Sequence, residues 1–194
     1  MKILAGIIGA IVMLIFSAYA YMGGFYKVKV EQTQSPQMDI IFTTHLGPYE
    51  NLSQSWDAFY ADLITADLTD CSGLGVYLDS PDTPPEEIRS IIGCDISSLD
   101  EGVKLSLQSK FSSFTLPSGT MVTGTFPFKN EMSYFLAPMK VYPAFQRELN
   151  VEELTLPVAI ELYGKQGESD QIIFMAPLNL GTEDYQPLFD AFSG

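Results

Sequence analysis

The chain has 194 residues, 46% hydrophobic and 18% charged, enough for one domain with an appendage. Its net charge of −14 is uneven: residues 1–24 hold one Lys and no acid, which leaves 9 Lys and Arg against 24 Asp and Glu, a net of −15. A surface that acidic repels nucleic acid and anionic lipid, and favours cationic partners or plain solubility.

The chain opens on ILAGIIGAIVMLIFSAYAY, Ile3 to Tyr21, in which Ser17 is the one clearly polar residue. As a helix this run is about 28 Å long, close to the hydrocarbon thickness of a bilayer. Residues 1–24 are therefore expected to be a single transmembrane anchor. The rival is a cleaved signal peptide, because Ala18-Tyr19-Ala20 has the small–x–small form of a cleavage site. Lys2 precedes the run and Lys27 and Lys29 follow it, so charge does not decide which side the domain faces.

MDIIFTT (residues 38–44) is β-branched and strand-like. His45 ends it as a lone histidine with no neighbouring ligand residues, and is read as structural. Leu52, Trp56, Phe59, Tyr60, Leu63 and Ile64 then recur at helical spacing. LGVYLD (74–79) alternates as a strand, with Leu74, Val76 and Leu78 on one face and Gly75, Tyr77 and Asp79 on the other. SPDTPPEEIR connects it to SIIGCDI (90–96). Cys71 and Cys94 fit no metal site or disulfide framework. They are read as inert core thiols, with a bridge as the alternative in an oxidising compartment.

The same order then repeats. TMVTGTF (120–126) lies 82 residues after the first strand. Met132, Phe135, Leu136, Met139, Tyr142, Phe145 and Leu149 form a second amphipathic stripe, which Pro138 and Pro143 are expected to kink or break. PVAIELYG (157–164) matches the Leu74 strand at an offset of 84, and GKQGESD leads to QIIFMAPL (171–178). The reading is an α+β fold built from a duplicated strand–helix–strand–strand module with pseudo-two-fold symmetry. Repeat one spans 25–98 and repeat two 105–180 within a domain of 25–182, before a short tail of 183–194. The helices are expected over the Leu74/Val76/Leu78 and Val158/Ile160/Leu162 face. The opposite face, with Tyr77, Asp79, Glu161 and Tyr163, is left as a groove between the halves.

GPYENLSQSWDAFYADL, GVYLDSPDTPPEEIRSIIG and LPVAIELYG resemble the GyrI-like, or bacterial effector-binding, domain superfamily. The matching features are Gly47-Pro48-Tyr49 at a strand-to-helix junction, Tyr77-Leu78-Asp79-Ser80-Pro81 at a strand end, and Glu161 in the penultimate strand. YMGGFYKVKV and MVTGTFPFKNEMSYFLAPMKVYPAF extend the likeness to a membrane-anchored, testis-expressed ER-phagy receptor branch and its microbial relatives. The resemblance implies a groove for small organic molecules, often cationic and lipophilic, in which Glu161 meets the positive charge. The chain departs from relatives that carry DNA-binding helices, because its extension is the apolar run, and a transcription factor is not expected. A long disordered tail is not expected either.

The candidate ligand-binding residues are Glu161, Tyr163, Tyr77, Asp79, Tyr49 and Trp56. Trp56 and Phe59 also fit the core stripe of their helix; Tyr134 and Phe174 are further aromatic candidates. Tyr185-Gln186-Pro187-Leu188, after two acids, has a peptide-docking form of such low information that it reads as chance. The expected function is a membrane-anchored binding module for a small amphipathic, cationic ligand, with no metal, cofactor or nucleic acid and no protein partner identified. The alternatives are a hydrolase of reactive small molecules using Glu161 as base and a membrane-tethered docking platform for a protein.

Overall fold

In the computed structural model of the chain, residues 2–69, 71–80, 82–165 and 171–193 are described. Pro81 of the first connection and residues 166–170 of the second lie outside them. The alternating, β-branched and apolar runs form the expected strands: β2 (Met38–Leu46), β3 (Ser72–Tyr77), β4 (Arg89–Asp95), β6 (Gly119–Pro127), β7 (Ala159–Lys165) and β8 (Gln171–Pro177). Two further strands, β1 (Val30–Ser35) and β5 (Ser112–Leu116), are short and largely polar. They occupy the two edges of one antiparallel sheet ordered β1-β6-β8-β7-β3-β4-β2-β5, where polar side chains discourage pairing with another chain.

Each repeat sends its first strand to the other. β1 pairs with β6, and β5 pairs with β2. The halves meet at β3 and β7, where Val76 lies opposite Ile160. These two residues are also counterparts at the 84-residue offset, so the pseudo-two-fold axis passes through them. Gly75 opposite Glu161 and Tyr77 opposite Ala159 flank it.

The placement of the helices differs from the sequence expectation. α2 (Leu52–Thr65) packs Phe59 and Leu63 against Ile41, Ile92 and Cys94. α4 (Met132–Leu149) packs Ala137, Val141 and Phe145 against Val122, Ile172 and Phe174. Phe174 stands opposite Glu161 in the β7–β8 pairing, so both helices lie on the Glu161 face. The Leu74/Val76 face is covered from elsewhere. There the curled sheet gathers Ile40, Leu74, Val76, Ile91, Val158 and Ile160 around Tyr185 and Leu188. Those two come from a 3-10 turn, Thr182–Tyr185, and α5 (Gln186–Asp190). The segment expected as a short tail is therefore part of the core, and both apolar anchors of its YQPL run are fully buried. The amphipathic period identified a core-facing stripe but not which sheet face it meets.

α4 runs unbroken through Pro138 and Pro143. Each proline leaves one carbonyl without its helical donor, at Tyr134 and Met139. Both residues are exposed, so water can serve those carbonyls. α1 covers Lys2–Tyr21, and α3 (Glu101–Gln108) links the repeats. Counting the described residues alone, no helix is long and apolar enough to cross a membrane, so the transmembrane anchor expected over residues 1–24 is not supported by the helix seen there.

Cys71 and Cys94 are joined in a disulfide rather than lying as free thiols. The sequence showed no framework because the pair joins a loop to the end of β4, residues brought together by the sheet. Its separation of 23 residues corresponds to about 3 kcal/mol of loop-closure entropy. Urea unfolding with and without reductant should differ by about that amount. Equal midpoints, reproduced by a C71A/C94A double variant, would mean that the bridge adds nothing to stability.

Candidate functional site

Glu161 sits beside the two-fold axis on β7 and is 6% exposed. Its carboxylate accepts hydrogen bonds from Tyr142 Oη on α4 (2.9 Å to Oε1) and Tyr163 Oη (3.1 Å to Oε2). No lysine or arginine pairs with it among the described residues. The register shifts at this point. Gly73 faces Gly164 and Leu74 faces Leu162, so Tyr163 has no opposite number on β3. Such a bulge re-aims a side chain, and here it brings the Tyr163 phenol back to its neighbour two residues away.

The phenols form a chain. The Tyr77 and Tyr163 hydroxyls share a hydrogen bond of 2.5 Å. Tyr49, in the turn before α2, meets Tyr77 edge to face at 5.6 Å. Trp56 and Tyr134 both meet the Tyr163 ring edge-on, at 5.6 and 5.5 Å. Tyr60 stacks on Trp56 at 5.4 Å. Aromatic side chains from both helices and the sheet thus enclose one carboxylate.

Glycines in β3 make room for the rings. A Cβ on Gly73 would lie 2.8 Å from the Tyr60 hydroxyl, and one on Gly75 would lie 3.0 Å from that of Tyr77. Both glycines point to the helix-covered face, so the rings can lie close to the backbone.

Five of the six expected residues converge: Glu161, Tyr163, Tyr77, Tyr49 and Trp56. Asp79 does not share the carboxylate's role. Arg89 holds it through two guanidinium bonds, 3.0 and 2.7 Å, and a backbone N–H at 2.7 Å. Burial raises the Asp79 pKa, but the bonds from Arg89 outweigh this and lower it. A carboxylate so paired offers no free charge to a ligand. Strand alternation placed Asp79 with Tyr77, but β3 ends at Tyr77, and beyond the strand alternation no longer holds.

The expected groove is closed over by the protein's own aromatic rings. Two residues that the sequence reading placed in helix cores, Tyr142 and Tyr60, belong to this cage. The 82-residue offset between the repeats relates them to each other, and that coincidence of two tyrosines was the available signal. His45 is buried, its ring nitrogens bonded to Ser55 Oγ (2.8 Å) and the Pro48 carbonyl (3.3 Å), so it supports the turn that carries Tyr49. Among the described residues no three His, Cys, Asp or Glu side chains converge to hold a metal ion.

Burial pushes the Glu161 pKa up to about 7, against the downward pull of the Tyr142 and Tyr163 hydrogen bonds. Burial and the Glu161 charge push Tyr77, Tyr142 and Tyr163 well above the ordinary tyrosine range. The phenols stay protonated donors, and the carboxyl is poised between its two forms at neutral pH.

A raised folded-state pKa stabilises the fold fully below the unfolded value of 4.5. That contribution is lost as pH rises through about 7. The wild type should therefore lose roughly 3 kcal/mol of stability between pH 4.5 and 8, because each pKa unit gained on folding corresponds to about 1.36 kcal/mol. Glu161→Gln should remove that slope. Chemical denaturation of both proteins across this range checks the sign; parallel curves would mean that Glu161 is not buried in its charged form. Asp39, lowered by Lys104 and Thr115, and Asp79 act below pH 4, outside this window.

Comparison with known proteins agrees with this architecture. A family profile, GyrI-like small molecule binding domain, matches residues 29–140. The chain is 29% identical over 199 residues to testis-expressed protein 264 of Homo sapiens, covering 95% of this chain and 60% of that protein. It is 32% identical over 122 residues to the Mus musculus homolog, covering 59% and 38%. It thus spans less than two thirds of the length of these relatives. Among solved structures, SAV2435 bound to tetraphenylphosphonium superposes with a TM-score of 0.54 at 13% identity, covering 82% of this chain and 99% of that one. The integron cassette protein VCH_CASS2 of Vibrio cholerae gives 0.54 at 13%, covering 78% and 97%. At such identities the likeness shows the fold. With the profile covering more than half of its length, the chain belongs to the GyrI-like small molecule binding domain family.

Proposed function

We propose that this domain binds a small amphipathic organic cation, and that the apolar N-terminal helix tethers it to a membrane. The observation that carries the first part is the Glu161 carboxylate, buried without a cationic partner among the described residues and ringed by aromatic faces. Desolvating an anion costs several kcal/mol unless it is compensated. Here phenol hydroxyls compensate part of that cost, and burial, which pushes the carboxyl up to about 7, lets a proton take up more of it. An organic cation completes the compensation: it restores the charged form, while the rings of Trp56, Tyr60 and Tyr134 supply dispersion and cation–π attraction. Tyr134, 45% exposed, is the outermost ring and the natural place to open. A fold neighbour solved with tetraphenylphosphonium bound supports this ligand class.

The tether is read from the exposed apolar surface of α1; as no helix among the described residues is long and apolar enough to cross a membrane, α1 is proposed to enter the bilayer rather than to span it. Its side chains from Ile7 to Phe16 include no charge, and its large apolar residues are more than half exposed. An acid poised near neutrality also suits a general base, so a reactive electrophile in the same cage could be hydrolysed with Glu161 accepting the proton.

Tetraphenylphosphonium should bind the full chain, and neutral triphenylphosphine oxide should bind more weakly. Because the cation favours ionised Glu161, its affinity should rise at least about tenfold in all between pH 5 and 8 and level off above the midpoint of the free carboxyl. Glu161→Gln should cost at least tenfold at pH 8 and flatten that profile. Isothermal titration reads all three. Equal affinities for both ligands in both proteins would sink the counter-charge reading, and product formation would move it to the hydrolase.

A further inference from the structure

Three basic residues of this acidic domain come together at one place. Arg89 and Lys104 are taken up in ion pairs with Asp79 and Asp39. Lys27, Lys140 and Arg147, by contrast, line one concavity of about 480 Å³ together with Tyr26, Met139 and Pro143. None of the three is ion-paired among the described residues.

This concavity is fixed to the end of α1. Lys140 Nζ donates to the Gly24 carbonyl at 2.5 Å and lies 5.7 Å over the Tyr19 ring. Gly23 turns the chain at φ +87°, where a Cβ would lie 3.0 Å from Phe126. Tyr26 then seats its ring edge on Phe126 at 5.7 Å. Beside the concavity, α4 turns an apolar stripe outward: Met132, Phe135 and Met139 are 48, 62 and 71% exposed. Their spacing of three and four residues puts them on one helix face. An exposed apolar stripe edged by Lys and Arg is the pattern of a helix lying in a membrane interface.

We propose that the concavity between the segment after α1 and α4 seats the headgroup of an anionic phospholipid. The Met132–Phe135–Met139 stripe rests in the interface, so the domain lies down on the bilayer that α1 enters. Arg147 offers a two-pronged donor to phosphate oxygens, Lys27 adds a point charge, and Lys140 contributes its field while holding Gly24. Local charge thereby overrides the domain's net repulsion from anionic lipid, because only cations within about a Debye length of the headgroups count fully. The location relies on α1 being the tether; the headgroup chemistry does not.

The test uses the full chain in nanodiscs of phosphatidylcholine, alone or with one third phosphatidylserine, with a nitroxide on Met139→Cys. Phosphatidylserine should move the label into the lipid phase, read by its accessibility to dissolved oxygen against a water-soluble relaxant. Lys27→Glu with Arg147→Glu should reverse this, by about fivefold in the docked ratio per charge removed. A label in water in both lipids overturns the proposal. So does an NMR shift of the Arg147 guanidinium with inorganic phosphate while the label stays in water, which would make the seat one for a free anion. Failure of the tether reads differently: alkaline carbonate would then strip the chain from vesicles. Binding of the stripped chain to phosphatidylserine vesicles, lost in the double variant, would still support the seat, and absence of binding would overturn it.

Discussion

One carboxylate, buried beside the axis that relates the two halves and given no cation among the described residues, constrains the rest of the site. An unpaired charge at that depth is costly, and the surrounding structure reduces the cost without removing it. Tyr142 and Tyr163 donate to Glu161, Tyr77 bonds Tyr163 in turn, and Tyr49 closes the chain at the rim. Phenols are weak acids, so they donate without adding charge. The carboxyl is left near its midpoint at neutral pH, where a positive ligand has the greatest effect on it.

The fold is arranged to keep this face available. The opposite face holds the main apolar cluster, closed by Tyr185 and Leu188 from the C-terminal segment. The helix-covered face can then be divided: α2 and α4 each pack a separate cluster toward the sheet edges. The strip between them, over β3 and β7, is left to glycine, phenol and Glu161. The exchanged strands β1 and β5 bind each half to the other, which keeps the two helix walls in register across the strip.

Much of this could be read from the sequence. Period-two alternation gave β3 and β7, β-branched and apolar runs gave β2, β4, β6 and β8, helical spacing gave α2 and α4, and the 82- and 84-residue offsets gave the duplication. What escaped has physical reasons. β1 and β5 are polar edge strands with no alternating apolar face to detect. Covering the Leu74 face took residues 182–192, whose few apolar side chains carry no long periodicity. That face was apolar enough to look like the helix side, and the assignment inverted. Asp79 was grouped with Tyr77 by alternation, but the strand ends two residues short of it. Tyr142 was hidden because its helical position is also a core position; only a bond to a residue 19 positions away distinguishes its role.

The role of Glu161 is decided by a carbon-13 titration of its side-chain carboxyl, with the domain free and then saturated with tetraphenylphosphonium. The expected midpoint is near 7 in the free protein. It should fall by at least about one pH unit with the cation in place, since an opposite charge within a few ångströms favours the ionised form. A midpoint in the ordinary glutamate range, or one that the bound cation leaves unmoved, would contradict a buried counter-charge.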